Sequence, residues 1–367
     1  MICVLFSSRC VHGVKAEGLV MSEGGGGGKH PRRNKKFGKK KKYGGPSKAN
    51  LIERNFKHDK KARIVALSRF KTEPKPMGFP NDLSKPNSFS FNWMNNPVTL
   101  KTESELATKV IRKGEFGWLP DERVAEIGKM VEELDMTLDQ ALSLRSALLQ
   151  QKTVYTHYRL QSQSKTLIRL YREGAGIVDL SKKFDYPPMN IFRVVLKEMG
   201  WSKARIKETL RSPSKFKQRE RDEFEAAEAA DRVSNVDQSE THDRADLFED
   251  ILAVWFEQQG VRIRRQPEMV KEQMEEHGRP VNTPDLLFLD HVEINGEPVA
   301  WIDAKHFYGA DVDFQRKKIV KQSSRYVDAW GQGALVFRHG FCENIYVPGT
   351  VLLDCGPLDL SPLNANH

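Results

Sequence analysis

The stretch that most restricts the fold is residues 283–305, TPDLLFLDHVEINGEPVAWIDAK. Its two apolar runs have strand composition, and Asn295-Gly296 between them is the strongest short signal for a tight hairpin. Both runs are apolar enough to lie largely buried. Yet Asp285 opens the first run, and Asp303 and Lys305 close the second. Charges at the ends of buried strands are unfavourable unless they offset one another or hold a cation. Two carboxylates converging there make a hard-oxygen site suited to Mg²⁺ or Mn²⁺. Such an ion can polarise a phosphate and acidify a bound water. A neighbouring ammonium can orient that water or stabilise charge developing on the phosphate oxygens. Asp303 and Lys305 stand two apart, so they share one face of the strand.

The register raises a difficulty. A strict two-residue turn at Asn295-Gly296 sets Asp303 opposite Phe288 and turns Asp285 to the other face. A bulge or bend near Asp285, or a different turn, is therefore expected.

The rest of the chain divides by composition. Residues 1–100 lack sustained periodicity and carry a glycine run, a Pro-rich stretch and the block KHPRRNKKFGKKKKY at 29–43. They are expected to form a disordered basic arm. That block holds nine Lys/Arg and no acid, while the whole chain has a net charge of +10. It fits nuclear import and affinity for polyanions, with a solvated arm of weak, salt-sensitive attraction as the alternative. The nucleus, or the nucleus together with the cytoplasm, is the expected location. No run approaches the roughly 18 apolar residues of a membrane span, so no membrane partner is expected. The four cysteines, Cys3, Cys10, Cys342 and Cys355, form no CxxC pair, which disfavours a zinc site or disulfide framework and fits a reducing compartment.

Residues 101–212 are expected to form an all-helical domain. Val124, Ile127, Met130, Val131 and Leu134 make a helical stripe, and Thr137 with Gln140 has capping-box spacing. Residues 164–201 hold three short apolar patterns with Asp185-Tyr186-Pro187-Pro188 before the last. That arrangement matches a helix-turn-helix, or equally a small three-helix bundle. Arg193 and Lys197 lie off the apolar stripe, and Lys203 and Arg205 add cations; these four are candidate nucleic-acid contacts, mainly to phosphates. Residues 213–243 read as a charged linker or exposed helix. Residues 244–362 form the last domain, with an apolar helix bearing Glu249.

Pro284-Asp285 and Asp303-Ala304-Lys305 resemble the core motif of the PD-(D/E)xK nuclease superfamily, whose fold is that of the restriction endonucleases. Glu249 matches the acid often found on its preceding helix, and Gln322 with Tyr326 matches the QxxxY of some branches. A closer resemblance, over about 138–359, is to the codanin-interacting nuclease family; it rests on TPDLLFL, VAWIDAKHFYGAD, GALVFRHGF and DYPPMNIFRVVL. The basic arm and the charged stretch 213–243 depart from that family. The resemblance implies a restriction-endonuclease-like α/β domain with a mixed sheet, the DxK strand central, and flanking helices bearing Glu249 and Gln322. It further implies metal-dependent phosphodiester hydrolysis, structured DNA as substrate and a codanin-like protein partner. In this reading Glu249, Asp285 and Asp303 bind the metal, Lys305 orients the nucleophile, and Gln322 and Tyr326 support the geometry. The alternatives are a catalytically silent nuclease-fold adaptor, a solvated Glu249, a surface ion pair of Asp303 with Lys305, and packing roles for Gln322 and Tyr326. His306 points away from Lys305 and is assigned to packing or substrate-side contact, and His339 is read as a strand residue.

Overall fold

The computed structural model describes residues 48–234 and 239–364. Among the described residues are thirteen α-helices and one mixed sheet of six strands. The basic block at 29–43, with Cys3 and Cys10, lies outside them.

The hairpin is the centre of the sheet. Strand β3 is Leu286–Ile294 and strand β4 is Glu297–Lys305. Asn295 and Gly296 between them both have positive φ, 53° and 77°, as a tight hairpin turn requires. β5 (Gly333–Phe337) and then β6 (Thr350–Leu353) extend the sheet beyond β4 in parallel. On the other side, β3 shares its edge between two short strands. β2 (Ile263–Arg265) pairs antiparallel with its first half, and β1 (Ser88–Phe91) pairs parallel with its second half. β4 is therefore central, as expected.

The sheet is covered on both faces, which is why Val299 to Ile302 can all be apolar and buried. On one face, helix α10 (Ser239–Gln258) packs Phe248, Leu252 and Phe256 onto Phe288, Ile302 and Val336. On the other, α12 (Asp313–Trp330) packs Ile319, Tyr326 and Trp330 onto Trp301, Leu335 and Phe337. The polar stretch between α10 and the hairpin forms β2 and helix α11 (Gln266–His277).

The expectation of a disordered arm over residues 1–100 fails for 48–100. Helix α1 (Lys48–Ser68) buries Ala62 and Ala66 against the α12 face of the sheet. Ala62 O accepts from Gln332 N at 2.9 Å. Gly331 permits that approach, since a Cβ there would meet Ala66 N at 2.3 Å. The side chain of Asn295 then clamps the segment after β1, exchanging hydrogen bonds with Trp93 N and Trp93 O, both at 2.8 Å. These tertiary partners, rather than local periodicity, order residues that read as a tail.

The hairpin register shifts within β3. Near the turn Val292 pairs with Val299, but beyond the irregularity Leu287 pairs with Trp301 and Leu286 with Ile302. Three extra residues are thus absorbed on β3, and an odd shift reverses the faces. Extending the second register by one residue sets Asp285 opposite Asp303. The irregularity is held by Asp290, which is fully buried. It accepts from Arg262 Nη2 at 2.6 Å, Arg262 N at 2.9 Å and Asn87 N at 2.8 Å. Arg69 Nη2 donates to its carbonyl at 2.6 Å.

The helical unit contains α2 (Leu100–Lys109), α3 (Asp121–Glu132), the long α4 (Leu138–Ser162), α5 (Ser164–Arg172), α6 (Ile177–Phe184), α7 (Pro188–Glu198), α8 (Lys203–Arg211) and α9 (Gln218–Ala229). The Thr137–Gln140 capping box forms as its spacing predicts. The helix–turn–helix of α6 and α7 also forms, with Asp185 left-handed at φ 53°. However, α7 is not displayed as a recognition helix. Seven of its eleven residues are buried, because α5, α6, α8 and α9 surround it. Of the two readings of the charged stretch 213–243, the helix forms, as α9, but it is not simply exposed: Phe216, Phe224 and Ala227 join the same core, and buried Asp231 caps α7 by accepting from Met189 N at 2.9 Å.

Asp290→Ala leaves Arg262 and two amides without their shared acceptor, and is expected to destabilise the protein by about 3 kcal/mol, read as a lower urea midpoint. Burial alone would raise the Asp290 pKa, but hydrogen bonds from Arg262 and Asn87, with the Arg262 charge, hold it below the ordinary value. The wild-type advantage is therefore full above pH of about 4 and declines as pH falls below it.

Candidate active site

Five of the residues named from sequence, Asp285, Asp303, Lys305, Gln322 and Tyr326, meet at one end of the sheet. Asp303 and Lys305 project from β4 and are buried, as is Asp285. Their burial removes the surface-ion-pair reading. Lys305 Nζ pairs with Asp303 Oδ2 and reaches Gln322 Oε1 at 3.3 Å. Gln322, one turn before Tyr326 on α12, directs Nε2 to Asp303 Oδ1 and to the Tyr326 hydroxyl, each at 3.4 Å. The Tyr326 hydroxyl in turn donates to Thr283 O at 3.2 Å. Gln322 and Tyr326 therefore belong to the polar cluster and do more than pack.

Asp285 is held at both oxygens. Its Oδ2 accepts from Ala304 N at 2.6 Å, and its Oδ1 accepts from Gln266 Nε2 at 3.0 Å. Gln266 also donates to Thr283 O at 3.2 Å. Gln266 was missed from sequence, because nothing local marks a glutamine at the start of α11 as a neighbour of residue 285. It holds the Asp285 carboxylate in orientation.

Glu249, on α10, feels the charges of Asp303 and Lys305 from the opposite face of the sheet. Its half-buried carboxyl has its pKa raised to about 8, by burial first and then by Asp246 and Asp303, against the opposing pull of Lys305. Burial drives Asp285 well above the ordinary range as well, helped by Glu249 and Asp303. Three acids thus crowd around a single ammonium, and two of them hold their protons more tightly than usual. Tyr326 is pushed upward by burial and then by Asp303.

The fit to a divalent ion is partial. The atoms are the hard oxygens that Mg²⁺ and Mn²⁺ prefer. Of the four oxygens of Asp285 and Asp303, Asp303 Oδ2 alone has no neutral hydrogen-bond donor among the described residues. Its neighbour is the Lys305 ammonium. No group of three or more His, Cys, Asp or Glu side chains is close enough to hold a metal ion among the described residues. The acids share a site without forming a closed ligand set.

His306 lies on the α10 side, its ring 6.3 Å from that of Phe248. Its Nε2 accepts from Arg338 Nη1 at 2.8 Å. Burial and the Arg338 charge lower its pKa to about 3, so it stays neutral and engaged, as a packing role requires. His339 is in the turn after β5 rather than in a strand, 3.7 Å from Asp139.

The four cations named as nucleic-acid contacts are not drawn into this site; three of them have partners within the helical unit. Arg193 is half-buried near Asp231. Lys197 donates to Gln161 at 3.0 Å, and the Arg205 guanidinium stacks 3.7 Å from the Trp201 ring centroid. Lys203 is exposed at the start of α8.

The fold and site define a mixed α/β protein with a buried acid–amine cluster at the end of its central hairpin. A family described as "Protein of unknown function TPD sequence-motif" matches residues 216–355, less than half the chain. Thr283-Pro284-Asp285 lies within that match. The chain is also similar to the uncharacterized protein L539 of Acanthamoeba polyphaga mimivirus, 32% identical over 115 residues. That match covers 30% of this chain and 40% of the viral protein. No solved structure matches. No helix among the described residues is long and apolar enough to cross a membrane.

The raised Glu249 pKa means that ionising it opposes folding. Stability should fall as pH rises from about 4.3, its unfolded value, toward the folded value of about 8. Glu249→Gln is therefore expected to raise the melting temperature at pH 8, by about 1–3 kcal/mol of added stability. The gain should vanish by pH 4. Equal melting curves at pH 8 would refute the crowding of these acids.

Proposed function

We propose that the chain is a divalent-metal-dependent phosphodiester hydrolase with a restriction-endonuclease-like C-terminal unit. The observation that carries this reading is the register shift in β3, which brings Asp285 beside Asp303 and Lys305 at the end of two buried strands. A structural ion pair needs one acid and one base; here three acids share one ammonium, and the protons that Glu249 and Asp285 hold against their ordinary pKa are ones a divalent cation would displace.

Asp285 and Asp303 would hold the ion, with Glu249 adding to the shell. When bound, the metal would polarise the scissile phosphate and acidify water. Lys305, which donates to Gln322 Oε1 and pairs with Asp303 Oδ2, can orient a nucleophile or answer charge on the phosphate. Gln322 fixes Lys305 and Asp303 relative to each other, and Tyr326 anchors Gln322 to the segment before β3. Gln266 keeps the Asp285 carboxylate oriented. Nucleic acid, with DNA preferred, is the proposed substrate class.

One observation favours a second reading, a catalytically silent nuclease-fold adaptor. The Lys305 ammonium already neutralises Asp303, and the acids are not gathered into a closed ligand set. Metal titration followed by thermal unfolding separates the two. In the hydrolase reading, Mn²⁺ at 100 times its Kd stabilises the wild type by about 2.7 kcal/mol, and Asp285→Asn loses that shift. Asp303→Asn should lower cleavage of structured DNA by at least about a thousandfold, the scale of losing a principal electrostatic contact, while its melting curve without metal stays cooperative. A wild type that neither shifts with metal nor cuts would favour the adaptor.

A further inference from the structure

The cations that flank the acidic cluster lie on α12, not on the helix-turn-helix. That helix carries Arg316, Lys317, Lys318, Lys321 and Arg325 against Asp313 and Asp328. Arg316 is bound by Asp311 and Asp313, and Lys317 lies 3.4 Å from Asp313 Oδ2. Lys317, Lys318, Lys321 and Arg325 are exposed. Lys318 and Arg325 stand four residues before and three after Gln322, so they share its edge of the helix. The positive band therefore begins at the site itself.

The band continues onto α4. Gln151 Oε1 accepts from Phe314 N at 3.1 Å, fixing α4 against the start of α12. Lys317 Nζ donates to the Tyr155 hydroxyl at 3.2 Å, and its charge sits 5.6 Å from that ring. Beyond it, Tyr158 is 65% exposed and Tyr155 is 44% exposed. The Arg159 guanidinium lies 5.7 Å from the Tyr158 ring centroid. Two exposed aromatic rings beside cations on one surface suit bases that stack. A duplex hides its base faces and would use the cations alone.

We propose that the α12–α4 surface is a track for single-stranded nucleic acid, with phosphates on Lys317, Lys321 and Arg325 and an unpaired base on Tyr158, leading to the acidic cluster. The inference rests on the hydrolase reading for its direction but not for its binding. It assigns unpaired strands or flaps as the substrate class and moves the nucleic-acid contact away from α7 and α8.

The test is fluorescence anisotropy on the full chain in EDTA, with labelled single-stranded DNA, single-stranded RNA and a blunt duplex of the same sequence. Single strands should bind more tightly than the duplex, and the tighter of DNA and RNA names the source of the strand. Tyr158→Ala, at an exposed position that leaves folding intact, should weaken single-strand binding about tenfold and leave the duplex unchanged. Lys317→Glu with Lys321→Glu should lower the salt slope by about 1.4, the release expected for two phosphates. Single-strand affinity unchanged by Tyr158→Ala, or a duplex bound as tightly as the single strand, would overturn the track. Cleavage is not read here, so a chain that binds through Tyr158 yet never cuts would retain the track and lose the hydrolase.

Discussion

A carboxylate buried in the middle of a strand controls the sheet. Asp290 replaces ladder partners that β3 loses where its edge passes from β2 to β1, accepting from Arg262 and Asn87 instead. The three residues absorbed there reverse the face of everything that precedes them in the strand. Without that shift, Asp285 would point into the α10 face, a buried charge among apolar side chains with nothing to pair with. With it, both Asp285 oxygens find donors and its neighbour across the hairpin is Asp303. The bulge and the site are one feature, since the first makes the second sterically and electrostatically possible.

The electrostatics then follow from crowding. Burial is the largest influence on both Glu249 and Asp285, and mutual repulsion adds to it. One ammonium pairs with Asp303, and the other two acids answer the crowding by holding their protons. The cluster is held in this state by Gln266, which orients Asp285, and by Gln322, which bonds Lys305 and Asp303 and is itself tied through the Tyr326 hydroxyl to Thr283 O. Such an arrangement gathers carboxyls with strongly raised pKa values at one place, a property more often met at functional sites than in structural ion pairs.

The segment that reads least like structure contributes to the same end. Residues 48–93 carry few periodic signals, yet α1 covers the α12 face and β1 completes the edge of β3. Their order comes from long-range partners: Gly331 admits α1, and Asn295 clamps Trp93. A window of local sequence contains neither partner, so the stretch resembles a linker until the sheet exists. The same cause explains α7. Its apolar residues were visible, but one of the helices that enclose it, α9, comes from a stretch whose charge masked Phe216 and Phe224. The cations at Arg193 and Lys197 therefore belong to a buried helix's fringe rather than to a displayed reading surface.

What the sequence alone determined is what depends on neighbours and short period: the Asn295-Gly296 turn, two buried strands, the Thr137 capping box, the shared face of Asp303 and Lys305, and Gln322 one helical turn from Tyr326. Even the need for an irregularity in β3 followed from parity. Only the tertiary structure decided where that irregularity falls, that Asp290 holds it, that Gln266 orients Asp285, and that α1 and β1 are part of the sheet. Those outcomes depend on hydrogen-bonding groups far apart in the chain competing for the same buried positions, and that competition is settled only when the whole sheet is assembled.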